Sequence, residues 1–223
     1  MSRGSPERLS LERPITTASQ LLVEGRVPEM FFRELVTVTG LTAVIEVRTF
    51  GDIGKSGLQT YLELLTQKAP FKELVKRLGV VRDAEASNAV SAFQSVQAAL
   101  RGAQLPIPSE LKRLEGNPLA TGIFILLNCS DTGMLESLCL AAIAEAEQTR
   151  ADAVLPCVDE FFACLDKRGR TPINPTKAQF AGYAPARDVI DPQLGSAAQQ
   201  GAIPWEAEAF DPLKALLKNL AGA

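Results

Sequence analysis

Twice in this chain a short apolar run stops on carboxylates and gives way to a segment with helical spacing. The first is Leu21-Leu22-Val23-Glu24-Gly25 and the second Gly79-Val80-Val81-Arg82-Asp83-Ala84-Glu85. Apolar runs of this kind, alternating with helical segments, suit strands of a parallel sheet covered on both faces. A parallel strand that ends on an acid delivers it to the carboxyl edge of the sheet, where open α/β folds bind their ligands. Two such strands side by side would bring Glu24, Asp83 and Glu85 together. They would then offer hard oxygen donors of the kind that Mg²⁺ and Mn²⁺ take. Asp83 and Glu85 are two apart, so on extended backbone they share a side.

The rest of the chain extends the alternation. Strands are expected near 19–24, 43–49, 79–82 and 122–127. Pro28 suits the first turn of a helix, where its missing N–H costs nothing. Met30, Phe31, Leu35 and Val38 then fall near one face, and Gly40 ends the run. One or two helices over 58–78 are broken around Pro70, and another starts at Ser87 or Asn88 and runs to about Leu100. A polar turn over 128–133 precedes helices expected at 134–147, 151–166, about 175–184 and 211–220. Strands alternating with helices give a three-layer α/β fold, Rossmann-like, with a mainly parallel sheet and helices on both faces. The expected division is a flexible N-terminal arm over 1–16, an α/β core over 17–148, and a helical C-terminal extension over 149–223 packed on that core.

Composition narrows the chemistry. The chain has no histidine, which removes Ser-His-Asp and Cys-His nucleophile systems, His-liganded zinc and imidazole bases. The four cysteines form no C-x-x-C pair and lie in apolar surroundings, so reduced and mostly buried thiols are expected. A net charge of −3 counts against strong nonspecific nucleic-acid binding, which draws on basic excess. A nucleic-acid or nucleotide partner would need a local basic patch or a second subunit, and a homodimer is compatible with the sequence. The first 13 residues carry no apolar leader core, and no apolar stretch reaches the roughly 20 residues of a membrane helix. A cytoplasmic protein with no membrane partner is expected.

Other features have simpler readings. The stretch from Gly51 to Gly57 contains Gly54-Lys55-Ser56 but lacks the spacing of a phosphate loop. Leu135, Leu138, Cys139, Ala142 and Ala146 form an apolar stripe suited to core packing. Trp205 is expected to pin the C-terminal segment.

Leu22-Val23-Glu24-Gly25 followed by Asp83-Ala84-Glu85 resembles the Toprim domain, shared by topoisomerases, primases and OLD-family nucleases. The nearer likeness is to bacterial stand-alone Toprim-like proteins related to the OLD nucleases. It extends to Phe124-Ile125-Leu126-Leu127, to Thr132-Gly133-Met134-Leu135-Glu136, to Asn174-Pro175-Thr176-Lys177-Ala178 and to Ala209-Phe210-Asp211-Pro212-Leu213. Together these motifs span about residues 20–220. The resemblance implies a site using Mg²⁺ or Mn²⁺ for phosphodiester chemistry. Glu24, Asp83 and Glu85 would be metal ligands, Glu24 and Glu136 acidic catalytic members, and Lys177 a basic one. The chain departs from the pattern at Glu85, where Asp is usual. Arg26, Val27 and Pro28 stand where acids commonly follow Val-Glu-Gly, and Ser137 stands in place of a second carboxylate. These departures imply a partly degenerate site, and with it the alternative of a non-catalytic module that binds a nucleotide, nucleic acid or protein.

Overall fold

The computed structural model describes residues 10–51, 57–84, 89–126, 134–148 and 150–222. Five strands form one sheet: β1 (Ser19–Val23), β2 (Ile45–Thr49), β3 (Arg77–Arg82), β4 (Leu114–Glu115) and β5 (Ala120–Ile125), in the order β2-β1-β3-β5-β4. All neighbours are parallel except β4, which runs antiparallel to β5 at the edge. Ser19 lies between Ile45 and Arg77 in the register. Among the described residues nine α-helices complete the fold: α1 (Arg26–Val38), α2 (Gly57–Thr66), α3 (Ala69–Leu74), α4 (Ala89–Gly102), α5 (Leu135–Glu147), α6 (Leu155–Asp166), α7 (Pro175–Tyr183), α8 (Leu194–Gln199) and α9 (Asp211–Ala221).

Strand alternation sorts the core into two apolar layers. Leu21, Val23, Val81 and Phe124 pack with α1 and the helices from α5 onward. Leu22, Val80, Ile123 and Ile125 pack with α2, α3 and α4 on the other face. The protein is therefore an α/β sandwich of helix, mainly parallel sheet and helix. Its C-terminal helices share one apolar cluster with the sheet.

Gly79 admits the last helix. A Cβ there would meet Leu21 Cδ1 at 3.0 Å and Leu220 Cδ2 at 3.3 Å. Ser19 Oγ donates to the Leu220 carbonyl at 2.7 Å, fixing the end of α9 across the middle of the sheet. Trp205 packs on Phe31 and Phe210, with ring centroids 5.0 and 5.4 Å away, which ties the segment before α9 to α1.

Residues 10–16 do not form the expected free arm. A 3₁₀ turn at Ser10–Glu12 lies against β2 and α2. The buried Arg48 guanidinium donates to the carbonyls of Ser10 (2.8 Å), Arg13 (3.1 Å) and Pro14, and to Gln20 Oε1 at 2.7 Å. It also pairs with Glu46 at 2.8 Å. Buried cations need such partners, and here the chain entering β1 supplies most of them. Among the described residues no helix is long and apolar enough to cross a membrane.

Candidate functional site

The strand order fixes where the loops open. From β1 the chain passes outward to β2, then back across β1 to β3 and on to β5. The connection through α1 lies on one face, and those through α2, α3 and α4 lie on the other. The carboxyl ends of β1 and β3 therefore border the point where the chain reverses direction, the place where open α/β sheets leave a crevice. Glu24 is the first residue after β1 and Asp83 the first after β3.

The turn after β1 depends on glycine. Gly25 has φ of 92°, a region that favours residues without a Cβ, and it leads straight into α1. Thr49 Oγ1 accepts from the amides of Gly25 (2.9 Å) and Gly51 (3.1 Å), joining the loops after β1 and β2. A Cβ on Gly51 would fall 2.9 Å from Gly25 N and 3.0 Å from Gly25 Cα. Backbone at that distance yields poorly. Gly51→Ala is expected to cost about 1–3 kcal/mol, as overpacking does. The checking measurement is the urea midpoint, and an unchanged midpoint would show that the loops can separate freely.

Alternation separates the strand-end acids. Leu22, Val80 and Ala84 belong to the layer facing α2 and α4, while Val23 and Val81 face the other way. Glu24 and Arg82 follow the first parity and Asp83 the second. Consistent with this, Glu24 and Arg82 line a cleft of about 570 Å³ together with Gly25, Gln59 of α2 and Ser95 of α4. Arg82 Nε pairs with Glu24 Oε2 at 3.2 Å, and Arg82 Nη1 donates to Ser95 Oγ at 2.9 Å. Arg82 is a site residue that reading the sequence missed. The signal was available, because Arg82 is two beyond Val80 on a strand and so shares its face.

A second charged pair is built from α5 and α7. Glu136, in the first turn of α5, has a largely buried side chain with Lys177 Nζ 3.8 Å from Oε1. Asn174 caps α7 by accepting from the Lys177 amide at 3.0 Å, and it approaches Met134 Sδ at 3.8 Å. Burial, with the Glu136 charge adding to it, holds the neighbouring Cys139 thiol well above the usual range. The resemblance assigned Glu136 and Lys177 to one site with Glu24, Asp83 and Glu85; the structure places Lys177 and Glu136 3.8 Å apart.

Among the described residues no group of three or more ligating side chains is close enough to share a metal ion. Glu24 is engaged by Arg82, Asp83 follows the opposite parity, and Glu85 lies outside the described residues. The loop residues 52–56, the helix start at Ser87 or Asn88 and the polar turn 128–133 lie outside them too. Cys139, Cys157 and Cys164 are free thiols; Cys139 is buried, and the other two, expected to be buried, are exposed on α6.

No curated protein and no solved structure matches the chain. A family model described as "Protein of unknown function (DUF3226)" matches residues 18–222, from the residue before β1 to the one after α9. With nearly its whole length matched, the chain belongs to the DUF3226 family.

Proposed function

We propose that this protein is a divalent-metal-dependent phosphodiesterase or nuclease of the Toprim-like type, acting in the cytoplasm on a nucleic-acid or nucleotide phosphate. One observation carries the reading: Glu24 and Asp83 follow adjacent parallel strands at the point where the chain reverses direction. Carboxylates there suit Mg²⁺ or Mn²⁺, and a ligand over the sheet edge is within reach of side chains from either face. In this reading Glu24, Asp83 and Glu85 would hold the ion. Glu136 would hold a second ion or accept the proton of the attacking water, and Lys177 would contact the phosphate and steady its charge. The ion, when bound, supplies Lewis acidity toward the phosphoryl group. Free thiols at Cys139, Cys157 and Cys164 support a reducing compartment.

The test is thermal. At a hundred times its dissociation constant, Mn²⁺ stabilises a native-only site by about 2.7 kcal/mol. For a chain of this size that raises the melting temperature by roughly 5–10 °C. Asp83→Asn is expected to abolish the rise. It should also lower Mn²⁺-dependent cleavage of single-stranded DNA or RNA at least about a hundredfold, the scale of losing a group that stabilises transition-state charge. Melting unmoved by Mn²⁺, or a variant that cleaves like the parent, overturns the reading.

A specific observation favours a second reading. The Glu24 carboxylate is paired with Arg82 at 3.2 Å. A Toprim-like module that binds a nucleotide, nucleic acid or protein partner without turnover needs no ion at Glu24. Its signature is phosphate-ligand binding with neither Mn²⁺ stabilisation nor cleavage.

A further inference from the structure

Among the described residues that line the cleft between α2 and α4, only Glu24 and Arg82 are charged. Arg82 is held by two bonds, Nε to Glu24 Oε2 at 3.2 Å and Nη1 to Ser95 Oγ at 2.9 Å. With these two bonds made, the Nη2 edge of the guanidinium has no partner among the described residues. The side chains of Arg82 and Glu24 are 28% and 43% exposed, so solvent screens their attraction. Ion pairs of that exposure are weak and exchange readily. Phosphate oxygens, by contrast, match the guanidinium fork in geometry and carry more charge than one carboxylate.

One further feature suits an anion. Gly25 lines the cleft and is the residue before α1, a 13-residue helix. The dipole of that helix adds positive potential at this end. The lining also includes the apolar Phe50, Leu58, Ala98 and Ala99. A volume of about 570 Å³ accepts a body as large as a nucleoside beside the phosphate.

We infer that Arg82 is the phosphate-binding residue of this cleft and that Glu24 is its built-in competitor. The ligand is a phosphate ester or anhydride carrying an apolar or aromatic body. Ligand phosphate displaces the Glu24 carboxylate from Arg82, and any cation that takes Glu24 frees Arg82 for phosphate in turn. The inference shares phosphate chemistry with the proposed function but rests on Arg82 rather than on a metal.

The experiment is calorimetric titration of the full chain in EDTA with two probes, inorganic pyrophosphate and ADP. Both are expected to bind, ADP the more tightly. Arg82→Gln is expected to weaken both at least tenfold. Glu24→Gln, which removes the competitor and keeps its shape, is expected to tighten both two- to fivefold. The opposite signs separate this role from simple structural damage, which would weaken binding in both variants. Affinity unchanged in Arg82→Gln, or not improved in Glu24→Gln, overturns the inference, and ADP binding no tighter than pyrophosphate overturns the assigned ligand class. Both arms are run without free metal. If Mn²⁺ fails to stabilise the protein while this pattern holds, the metal reading falls and the inference stands. If Mn²⁺ stabilises through Asp83 while the pattern fails, the inference falls alone.

Discussion

Arg48→Ala is expected to cost about 3–5 kcal/mol, the scale on which breaking a buried charge network is felt. Four acceptors besides Glu46 lose their donor at once: Gln20 Oε1 and the carbonyls of Ser10, Arg13 and Pro14. The cost spreads along the chain, because Ser10 also accepts from the Thr49 amide at 3.0 Å and contacts the Tyr61 hydroxyl at 3.1 Å. Arg13 in turn pairs with Glu29 of α1 at 2.6 Å. Urea unfolding should show a lower midpoint, and limited proteolysis should newly cut between residues 10 and 16. Arg48→Lys keeps the charge but not the planar fork, so it should recover only part of the loss. An Arg48→Ala protein within about 1 kcal/mol of the parent, below the usual cost of an unsatisfied buried group, would mean that residues 10–16 are not held by this network.

Glu147→Gln should have the second-largest effect and changes how stability depends on pH. Glu147 closes α5 and caps α6: Oε2 accepts from the amides of Val154 (3.0 Å) and Leu155 (2.9 Å), while Oε1 pairs with Arg187. Arg187 also bonds Asp152 Oδ2 at 3.1 Å and the Tyr183 hydroxyl at 3.2 Å, so one guanidinium joins α5, the segment leading into α6, and α7. Burial alone would raise the Glu147 carboxyl, but Arg187 and the two amides outweigh it and hold the group below its usual 4.5. A depressed folded value stabilises the protein above the unfolded value, and that contribution is lost as pH falls through the folded one. Asp152, pulled well below its usual 3.8 by Arg150 and then Arg187, acts with the same sign. Glu147→Gln should therefore lower the melting temperature at pH 7 by several degrees, with about 2–4 °C lost per kcal/mol. Below pH 4.5 its decline should be shallower than the parent's, so the two curves converge in acid. Parallel curves would show that Glu147 does not titrate between the folded and unfolded states.

The central strands were legible because they are buried on both faces. Leu21-Leu22-Val23 and Val80-Val81 have no polar partner to alternate with, and both proved to be interior strands. Edges were less visible. β4 is two residues of antiparallel pairing, too short to carry a period. β2 begins at Ile45 rather than 43, because the Leu41 carbonyl accepts from the amides of Val44 and Ile45 and makes a turn there. β3 reaches back to Arg77, shortening the helical region before it, and β5 starts at Ala120. α6 starts at Leu155 rather than 151, since Pro156 occupies its first turn and Glu147 supplies the cap. α8 was missed entirely. Its Leu-Gly-Ser-Ala-Ala-Gln has no apolar stripe, yet small side chains let it lie on α1, where a Cβ on Gly195 would come within 2.8 Å of Met30 Cβ. In the candidate site, an acid at each strand end was readable as position. A shared side was argued for Asp83 and Glu85 but not for Glu24 and Arg82, and so the Arg82–Glu24 pair went unseen.

The bond from Ser19 to Leu220 also sets a clock. The two residues are 201 apart in the chain, and at about 5–20 residues per second a ribosome needs roughly 10–40 s to travel between them. Over that interval β1 and β3 can pair with each other, but the groove at Gly79 has no helix to fill it. Leu21 and Val81 then present one apolar face of a nascent sheet to the cell, the kind of surface that holding chaperones bind and that aggregation recruits. Assembly of this fold is finished from its far end: the strands made first acquire their last covering from the helix made last.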